Sequence, residues 1–299
     1  MHFDRRQALA LGAGLAVGST LPAERTQPLA ISLAQWSLHR TLRSGELDNL
    51  DFAEFAKERF GIEAVEYVNQ FFAERATDWN YLGEMKQRAA DHGVQSLLIM
   101  IDGVGELASP DDAERRRAVL GHVKWIAAAA FLGCHAIRVN AAGDGERDEV
   151  ATRAADSLVQ LGTVGADYGI DVLVENHGGL SSDGGWLAGV MRRADHPRVG
   201  TLPDFGNFRL ADGSWYDRYQ GVAQLMPFAR AVSAKSHEFD EAGNETRTDY
   251  ARMLTIVRES GYEGFIGIEY EGEQHPEVKG IALTKALLER TGAGSGDAR

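Results

Sequence analysis

Short apolar runs alternate with longer amphipathic segments along most of the chain after Pro28. The apolar runs are rich in Val, Ile and Leu, and a short apolar run bounded by turn residues is typical of a buried strand. Eight such runs cover residues 29–38, 62–68, 94–101, 135–139, 170–174, 199–202, 229–234 and 265–268. The segments between them are helix-like, and the clearest are residues 48–60, 111–132 and 147–168. The pattern predicts eight strand–helix units.

Cap residues support these boundaries. Gly61, Gly93, Gly133 and Gly169 each follow a helix-like segment and precede an apolar run, where a left-handed cap residue is expected. Asp48 is a candidate amino-terminal cap for the first helix, and Ser109-Pro110-Asp111-Asp112 is typical of another helix start.

The repeated units indicate one α/β domain with a parallel sheet, because each strand-to-strand connection spans a helix. Eight units in about 270 residues is the size of a (β/α)8 TIM barrel, predicted here for residues 29–290. An open doubly wound sheet would be favoured by a Gly-x-Gly-x-x-Gly turn after the first strand. That strand is instead followed by Trp36-Ser37-Leu38-His39, without such a loop. Residues 291–299 are rich in Gly and Ser and are predicted to be a disordered tail.

Charge and cysteine content narrow the classes of partner. Asp and Glu outnumber Lys and Arg by 44 to 31, and the net charge is −13. This excess argues against nucleic acid or an anionic membrane as a partner, since phosphate binding needs a basic face. The single cysteine, Cys134, lies in an apolar stretch, permits no intramolecular disulfide and is expected to be a buried hydrophobe.

The first 23 residues differ in character from the rest. Arg5 and Arg6 precede an apolar run over residues 8–17, which is too short to span a bilayer. A charged start, a short apolar stretch and small residues near Ala23 are typical of an export signal, and the adjacent arginines resemble a twin-arginine signal. We therefore expect residues 1–23 to be removed and the mature protein to be periplasmic or exported, with no membrane association after cleavage.

Ionisable residues follow the apolar runs of the last four predicted strands: Glu175, Asp204, His237 and Glu269. In a barrel of parallel strands, the carboxyl ends of the strands meet at one face, where active sites lie. Three carboxylates held close together repel one another unless a cation lies between them. Oxygen ligands with one nitrogen favour one divalent metal ion, Mn²⁺ first, with Mg²⁺, Co²⁺ or Zn²⁺ as alternatives.

Other polar residues at predicted strand ends are candidates for binding substrate. Glu66, Arg138, Asn140 and His177 have side chains suited to sugar hydroxyl groups, although ion pairs or strand-end caps would account for them equally well. Trp36 offers a ring on which the apolar face of a sugar could stack, with core packing as the alternative. His39 ends the first predicted strand and is a further candidate at the mouth of the site.

Three segments resemble the xylose isomerase-like barrel family, whose members are often described as sugar phosphate isomerases or epimerases. They are Val172-Leu173-Val174-Glu175-Asn176-His177-Gly178-Gly179, Leu202-Pro203-Asp204-Phe205-Gly206-Asn207-Phe208, and Gly264-Phe265-Ile266-Gly267-Ile268-Glu269-Tyr270-Glu271. The resemblance covers residues from about 30 to 290. It implies that Glu175, Asp204, His237 and Glu269 bind one divalent metal ion.

The resemblance also implies a mechanism. In sugar epimerases of the family, two metal-bound glutamates move protons on opposite faces of the substrate, and the corresponding residues here are Glu175 and Glu269. Proton removal next to a carbonyl gives an enediolate, which a divalent metal stabilises. One departure concerns strand 7, where many relatives have His-x-Lys-Asp and this chain has Lys235-Ser236-His237-Glu238. We assign the metal to His237 and proton donation to Lys235, with His177 as an alternative donor.

The expected function is therefore a metal-dependent sugar isomerase or epimerase acting on a small sugar or sugar derivative. Because an enediolate also permits β-elimination, a lyase or dehydratase on a keto-sugar or keto-glycoside is a close alternative. A metal-free glycosidase would leave Asp204 and His237 without a role, and an apurinic endonuclease would need more histidines and a basic face. A non-catalytic periplasmic sugar-binding protein is the alternative outside the enzymes, and a homo-oligomer stays open.

Overall fold

Eight parallel strands form the centre of the protein in a computed structural model that describes residues 29–293. The strands are β1 (Ala30–Ala34), β2 (Ala64–Val68), β3 (Gln95–Met100), β4 (Ala136–Val139), β5 (Asp171–Glu175), β6 (Val199–Leu202), β7 (Val232–Ser236) and β8 (Phe265–Tyr270). They pair in the order β6-β5-β4-β3-β2-β1-β8-β7. Parallel bridges from Thr201 to Ala229 and from Asp204 to Ser233 join β6 to the β7 side. The sheet therefore closes on itself, which confirms the predicted (β/α)8 TIM barrel.

Helices connect the strands and surround the sheet. They are α1 (His39–Ser44), α2 (Phe52–Phe60), α3 (Trp79–Asp91), α4 (Asp112–Leu132), α5 (Arg147–Tyr168), α6 (Gly184–Ala194), α7 (Arg218–Leu225), α8 (Tyr250–Glu259) and α9 (Glu277–Arg290). None of the described helices combines the length and the apolar character needed to cross a bilayer.

The predicted caps lie at the helix ends. The Asp111 carboxylate accepts the backbone N–H groups of Ala113 and Glu114 at the start of α4, which satisfies donors that have no partner within the helix. Gly133 ends the same helix with a φ of 85° in the left-handed region. Asp48 accepts the N–H of Leu50 in a short 3₁₀ turn before α2.

Alternation along the strands separates two apolar layers. Side chains that point outward pack under the helices in one large cluster that includes Trp125 and Cys134, both buried as expected. Side chains that point inward form a second, smaller cluster: Ala34, Val68, Leu98, Met100, Ala136, Leu173, Leu202 and Ala231. This inner layer fills the barrel, so a ligand can enter only from an end.

Several predicted boundaries differ from the structure. The first strand ends at Ala34, and the remainder of the predicted run forms a 3₁₀ helix over Gln35–Leu38. The seventh strand covers Val232–Ser236 and not residues 229–234. Ala293 lies within the predicted tail, but it is buried and its backbone forms a parallel bridge with Leu29. The ordered part of the chain therefore extends beyond the end of α9. Residues 294–299, like the predicted signal over residues 1–23, lie outside the described residues.

Candidate active site

Three buried carboxylates meet at the carboxyl ends of the barrel strands. Glu175 is the last residue of β5, Asp204 follows β6, and Glu269 lies in β8. One oxygen from each carboxylate lies within 4.8 Å of the others, and all three side chains are buried. We call these residues the acidic cluster. The structure thus brings together three of the four residues predicted to bind metal.

Hydrogen bonds from the β6 loop and from β7 fix the acidic cluster. Asp204 Oδ1 accepts the backbone N–H groups of Gly206 and Asn207 at 2.7 and 2.8 Å. The Asn207 side-chain amide also donates to Glu175 Oε1 at 2.9 Å, so one residue contacts two members of the cluster. Sequence reasoning missed the role of Asn207, although it lies within the quoted segment Asp204-Phe205-Gly206-Asn207.

Ser233 shows that the cluster needs a proton or a cation. Its Oγ lies 2.7 Å from Asp204 Oδ2 and 2.9 Å from Glu269 Oε2. A hydroxyl has one hydrogen and can donate to only one of two ionised carboxylates. The other contact is favourable only if a carboxyl is protonated and donates to Oγ, or if a cation balances the charge of the two oxygens, as Lys235 does in part at Glu269. Ser233 was also missed from sequence, and its only signal was that it shares strand parity with Lys235.

Two cationic side chains contact the cluster. Lys235 Nζ donates to Glu269 Oε1 at 2.7 Å and to Glu271 Oε2 at 2.9 Å. Arg138 Nε lies 2.8 Å from Glu175 Oε2. Lys235 and Arg138 are both almost completely buried, so their charges act in a medium where electrostatic interactions are strong.

Burial and these charges separate the acidities of the carboxyl groups. Burial raises the pKa of Glu175 to about 7 and that of Asp204 to about 7, against the opposing effects of Arg138 and Lys235 respectively. Burial would also raise the pKa of Glu269, but the charge and the hydrogen bond of Lys235 outweigh it and lower that pKa. Neighbouring carboxyls with different acidities are a feature of sites that move protons.

The sequence profile of a family described as Xylose isomerase-like TIM barrel matches residues 53–290. The chain belongs to this family. No curated protein sequence matches the chain.

Solved structures with the same fold resemble most of the chain. A 3-keto-D-glucoside 4-epimerase from E. coli has a TM-score of 0.66 at 14% identity, over 88% of this chain and 99% of that one. A D-tagatose 3-epimerase-like protein has a TM-score of 0.67 at 16% identity, over 88% and 97% of the two chains. The IOLI protein, solved with a zinc atom, has a TM-score of 0.69 at 13% identity, over 88% and 98%. Identities this low establish likeness of fold only.

In this xylose isomerase-like barrel, the chemistry of the acidic cluster fits a divalent cation. Glu175 Oε2 is buried without a hydrogen-bond partner among residues 29–293, although Arg138 lies beside it. Asp204 Oδ1 already accepts two hydrogen bonds. The remaining oxygens of the acidic cluster each accept one hydrogen bond and keep a second lone pair for a metal. A set made only of carboxylate oxygens suits hard ions such as Mg²⁺ or Mn²⁺ more than Zn²⁺.

His237 does not join the acidic cluster, which differs from the sequence-based prediction. Its ring lacks a nitrogen within 4.8 Å of all three carboxylates. The reason is the position of β7, which runs to Ser236, so that Lys235 pairs in register with Glu269. His237 lies two residues further along, beyond the strand end, where a parity argument no longer holds. Burial, followed by the charges of Arg247 and Lys235, lowers the pKa of His237 to about 4.

Arg138 and Asn140 lie together on one wall of the site. Both donate to Asp102 Oδ1 at 2.7 Å. Burial would raise the pKa of Asp102, but the charge and hydrogen bond of Arg138 outweigh it and lower that pKa to about 2. Asp102 therefore holds Arg138 against Glu175. His177 is exposed in the loop after β5.

Glu66 was predicted to lie at the end of a strand and to bind substrate, but it lies within β2, below the end of the barrel. It is 1% exposed, accepts a hydrogen bond from Ser32 at 2.6 Å, and has no partner for Oε2 among the described residues. Val68 follows it on the same face of β2, nearer the mouth. Burial raises the pKa of Glu66 to about 7.

Trp36 and His39 form another side of the mouth. The Trp36 indole N–H donates to Glu271 Oε1 at 2.9 Å, and its ring stacks on His39 with centroids 4.9 Å apart. Glu271 therefore links Trp36 to Lys235. The sequence placed Glu271 at a strand end but gave it no role.

Proposed function

We propose that this protein is a divalent-metal-dependent sugar isomerase or epimerase that removes a proton from a carbon next to a carbonyl. The observation that carries the proposal is the acidic cluster, in which Glu175, Asp204 and Glu269 are buried together beside Lys235. Such a concentration of carboxylates is unfavourable for stability without a cation or protons. The acidic cluster is therefore better explained by a role in metal binding and catalysis than by a role in stabilising the fold.

Glu175, Asp204 and Glu269 are the residues that would hold the metal. A divalent cation held there would supply Lewis-acid stabilisation of negative charge on a substrate oxygen. The IOLI protein, which has a similar fold and was solved with a zinc atom, supports a metal in this fold. The donor set of this chain consists only of oxygen atoms and favours Mn²⁺ or Mg²⁺.

The protein's own side chains would move the protons. Glu175 and Glu269 come from β5 and β8, which lie on different sides of the barrel end, so their carboxylates can face opposite sides of a sugar carbon. Lys235, held by Glu269 and Glu271, can donate a hydrogen bond or a proton to a substrate oxygen. Arg138 and Asn140 lie where they can bind hydroxyl groups, and Trp36 offers an aromatic ring at the mouth.

Lys235 favours a lyase as the second candidate. An ammonium group beside the proton-transfer pair could protonate a leaving group after the first proton is removed. A probable 3-DHS dehydratase from Bacillus anthracis has the same fold, with a TM-score of 0.61 at 18% identity over 87% of this chain and 98% of that one. The E. coli epimerase acts on a 3-keto-D-glucoside, and keto-sugars are accordingly suitable first substrates for both reactions.

Deuterium exchange tests the proposal directly. The Mn²⁺-loaded protein is incubated with free sugars and 3-keto-glucosides in D₂O, and NMR follows deuterium at the carbon next to the carbonyl. We expect exchange together with an epimer, isomer or elimination product. Glu175→Gln and Glu269→Gln should each lower the rate by roughly 10²-fold or more, since general acid–base catalysis contributes about this much. Arg116→Gln, on the outer face of α4, is the control and should change nothing.

Two results would contradict the proposal. Exchange and turnover that continue at full rate in the metal-free protein would exclude the role of the metal. Tight binding of a sugar by the metal-loaded protein, without exchange at any carbon, would instead indicate the non-catalytic sugar-binding protein.

A further inference from the structure

A second, basic pocket adjoins the acidic cluster at the same end of the barrel. It has a volume of about 200 Å³ and is lined by loops that follow β5, β6 and β7. Its charged lining residues are Arg209, Arg218 and Arg247, and no carboxylate lines it. This composition is unusual in a chain with 44 acidic and 31 basic residues. We call it the arginine pocket.

The arginine pocket shares a wall with the acidic cluster. Asn207 lines the pocket and also donates to Glu175. Gly206 lines it as well, and a Cβ at that position would lie 2.7 Å from Lys235 Cγ. Because glycine has no side chain, the pocket comes close to Lys235. A ligand with its reacting carbon at the acidic cluster could therefore extend into the arginine pocket.

Two of the three arginines have no acidic partner among residues 29–293. Arg247 pairs with Glu238 at 2.9 Å, but no carboxylate of the described residues lies within 4.0 Å of the guanidinium groups of Arg209 or Arg218. Arg218 donates to the Phe205 carbonyl and to Thr248, and its guanidinium lies 5.7 Å from the centre of the Trp215 ring. These contacts fix its position and leave its charge uncompensated.

A small hairpin presents Arg209 beside Trp215. The two residues form an antiparallel bridge within the β6 loop, closed by a turn at Gly213 whose φ is 84°. Arg209 makes no side-chain hydrogen bond with other described residues, and Trp215 is 57% exposed. A structural role explains Arg218 and Arg247, but it does not explain Arg209.

We propose that the arginine pocket binds an anionic group of the substrate, so that the protein acts on acidic sugars. Guanidinium groups bind carboxylate and phosphate oxygens in a forked geometry that neutral sugars cannot match. A uronic acid and a sugar phosphate both carry suitable oxygens. This inference rests on the proposed function, because it names the class of substrate that the neighbouring acidic cluster would transform.

Equilibrium binding tests the inference without requiring turnover. Titration calorimetry on the full Mn²⁺-loaded chain compares D-glucuronate, D-glucose 6-phosphate and D-glucose at one ionic strength. We expect at least one of the two anions to bind about tenfold or more tightly than D-glucose, which corresponds to one charge-assisted contact. The anion that binds more tightly identifies a carboxylate or a phosphate as the group recognised.

Arg209→Gln is the decisive variant, because the Arg209 side chain makes no hydrogen bond or ion pair with the described residues and its loss should not destabilise the fold. It should weaken binding of the preferred anion by about tenfold and leave binding of D-glucose unchanged. Arg116→Gln removes the same charge from an exposed position on α4 and should affect neither ligand. The inference is overturned if neither anion binds more tightly than D-glucose, or if the two variants have the same effect. Selective binding of an anion without deuterium exchange would contradict the proposed function and leave the pocket assignment intact.

Discussion

Lys235 places an ammonium group among the carboxylates that would bind a metal. Its Nζ lies 2.7 Å from Glu269 and 2.9 Å from Glu271, and the side chain is 2% exposed. The resemblance to the family led us to expect an imidazole in this part of the site. A fixed positive charge instead partly neutralises the carboxylates and repels a second cation. Two unit charges 4 Å apart interact by about 4 kcal/mol at an effective dielectric constant near 20.

Lys235→Met should therefore raise the affinity for Mn²⁺, by about tenfold or more, while lowering catalytic turnover. Metal affinity rises because a competing charge is removed, and turnover falls because the oxygen-directed donor is lost. Calorimetric titration of metal-free protein measures the first effect, and the deuterium-exchange assay measures the second. Methionine keeps an unbranched chain of similar length, so the packing changes little.

His237→Ala and Asp204→Asn serve as comparison variants for Lys235→Met in the measurement of Mn²⁺ affinity. His237 lies outside the acidic cluster, so His237→Ala should leave Mn²⁺ affinity within about threefold, whereas Asp204→Asn removes a ligand and should weaken it by 10-fold or more. Loss of metal in His237→Ala, with unchanged affinity in Lys235→Met, would restore the histidine to the metal site.

Several elements were predictable because their signal is local. The helix predicted over residues 147–168 matches α5, and Asp111, Gly133 and Gly169 cap helices as expected. The seventh strand was misplaced for a physical reason. The interior of the barrel becomes polar near the site, so β7 directs Ser233 and Lys235 inward. A strand recognised by its apolar residues was therefore ended too early.

Close packing between helix α9 and strand β8 can be tested by a single substitution. Gly280 lies within α9, and a Cβ there would lie 2.2 Å from the Tyr270 ring. Gly280→Ala should therefore destabilise the protein by about 1–3 kcal/mol, as overpacking of a core does. Thermal or urea unfolding measures the change.

Gly83→Ala provides the matched control. Gly83 lies within α3, and a Cβ there would meet nothing within 4 Å. Alanine has the higher helix propensity, so this change should stabilise the protein by up to about 1 kcal/mol. The packing argument fails if both substitutions change stability in the same direction.

At the level of the whole molecule, the sequence predicted the barrel and most of the acidic cluster. Eight apolar runs separated by helices permit few other arrangements, and the carboxyl ends of parallel strands necessarily meet at one face. The arginine pocket was not predictable in the same way. Arg209, Arg218 and Arg247 lie in two loops and at a helix start, where neither periodicity nor strand order specifies which side chains converge.

The first 28 residues lie outside the described structure. Their proposed role is to direct export of the folded barrel from the cytoplasm. Arg5 and Arg6 precede the short apolar run over residues 8–17, a combination typical of twin-arginine export. This pathway carries proteins that are already folded. A metal could thus be bound in the cytoplasm before export.

Export of a reporter fused to residues 1–28 tests this proposal. We expect the reporter to reach the periplasm and expect Arg5→Lys combined with Arg6→Lys to retain it in the cytoplasm. Lysine keeps the positive charge but lacks the planar guanidinium fork, so the double substitution separates recognition of the arginine pair from a general need for charge. Arg25→Lys, which lies beyond the predicted cleavage after Ala23, is the matched control and should be exported normally. Cell fractionation measures the distribution. Equal export of the double variant and the Arg25→Lys control would exclude a twin-arginine signal and favour a signal of another kind, whereas retention of the unsubstituted fusion in the cytoplasm would indicate a flexible amino terminus.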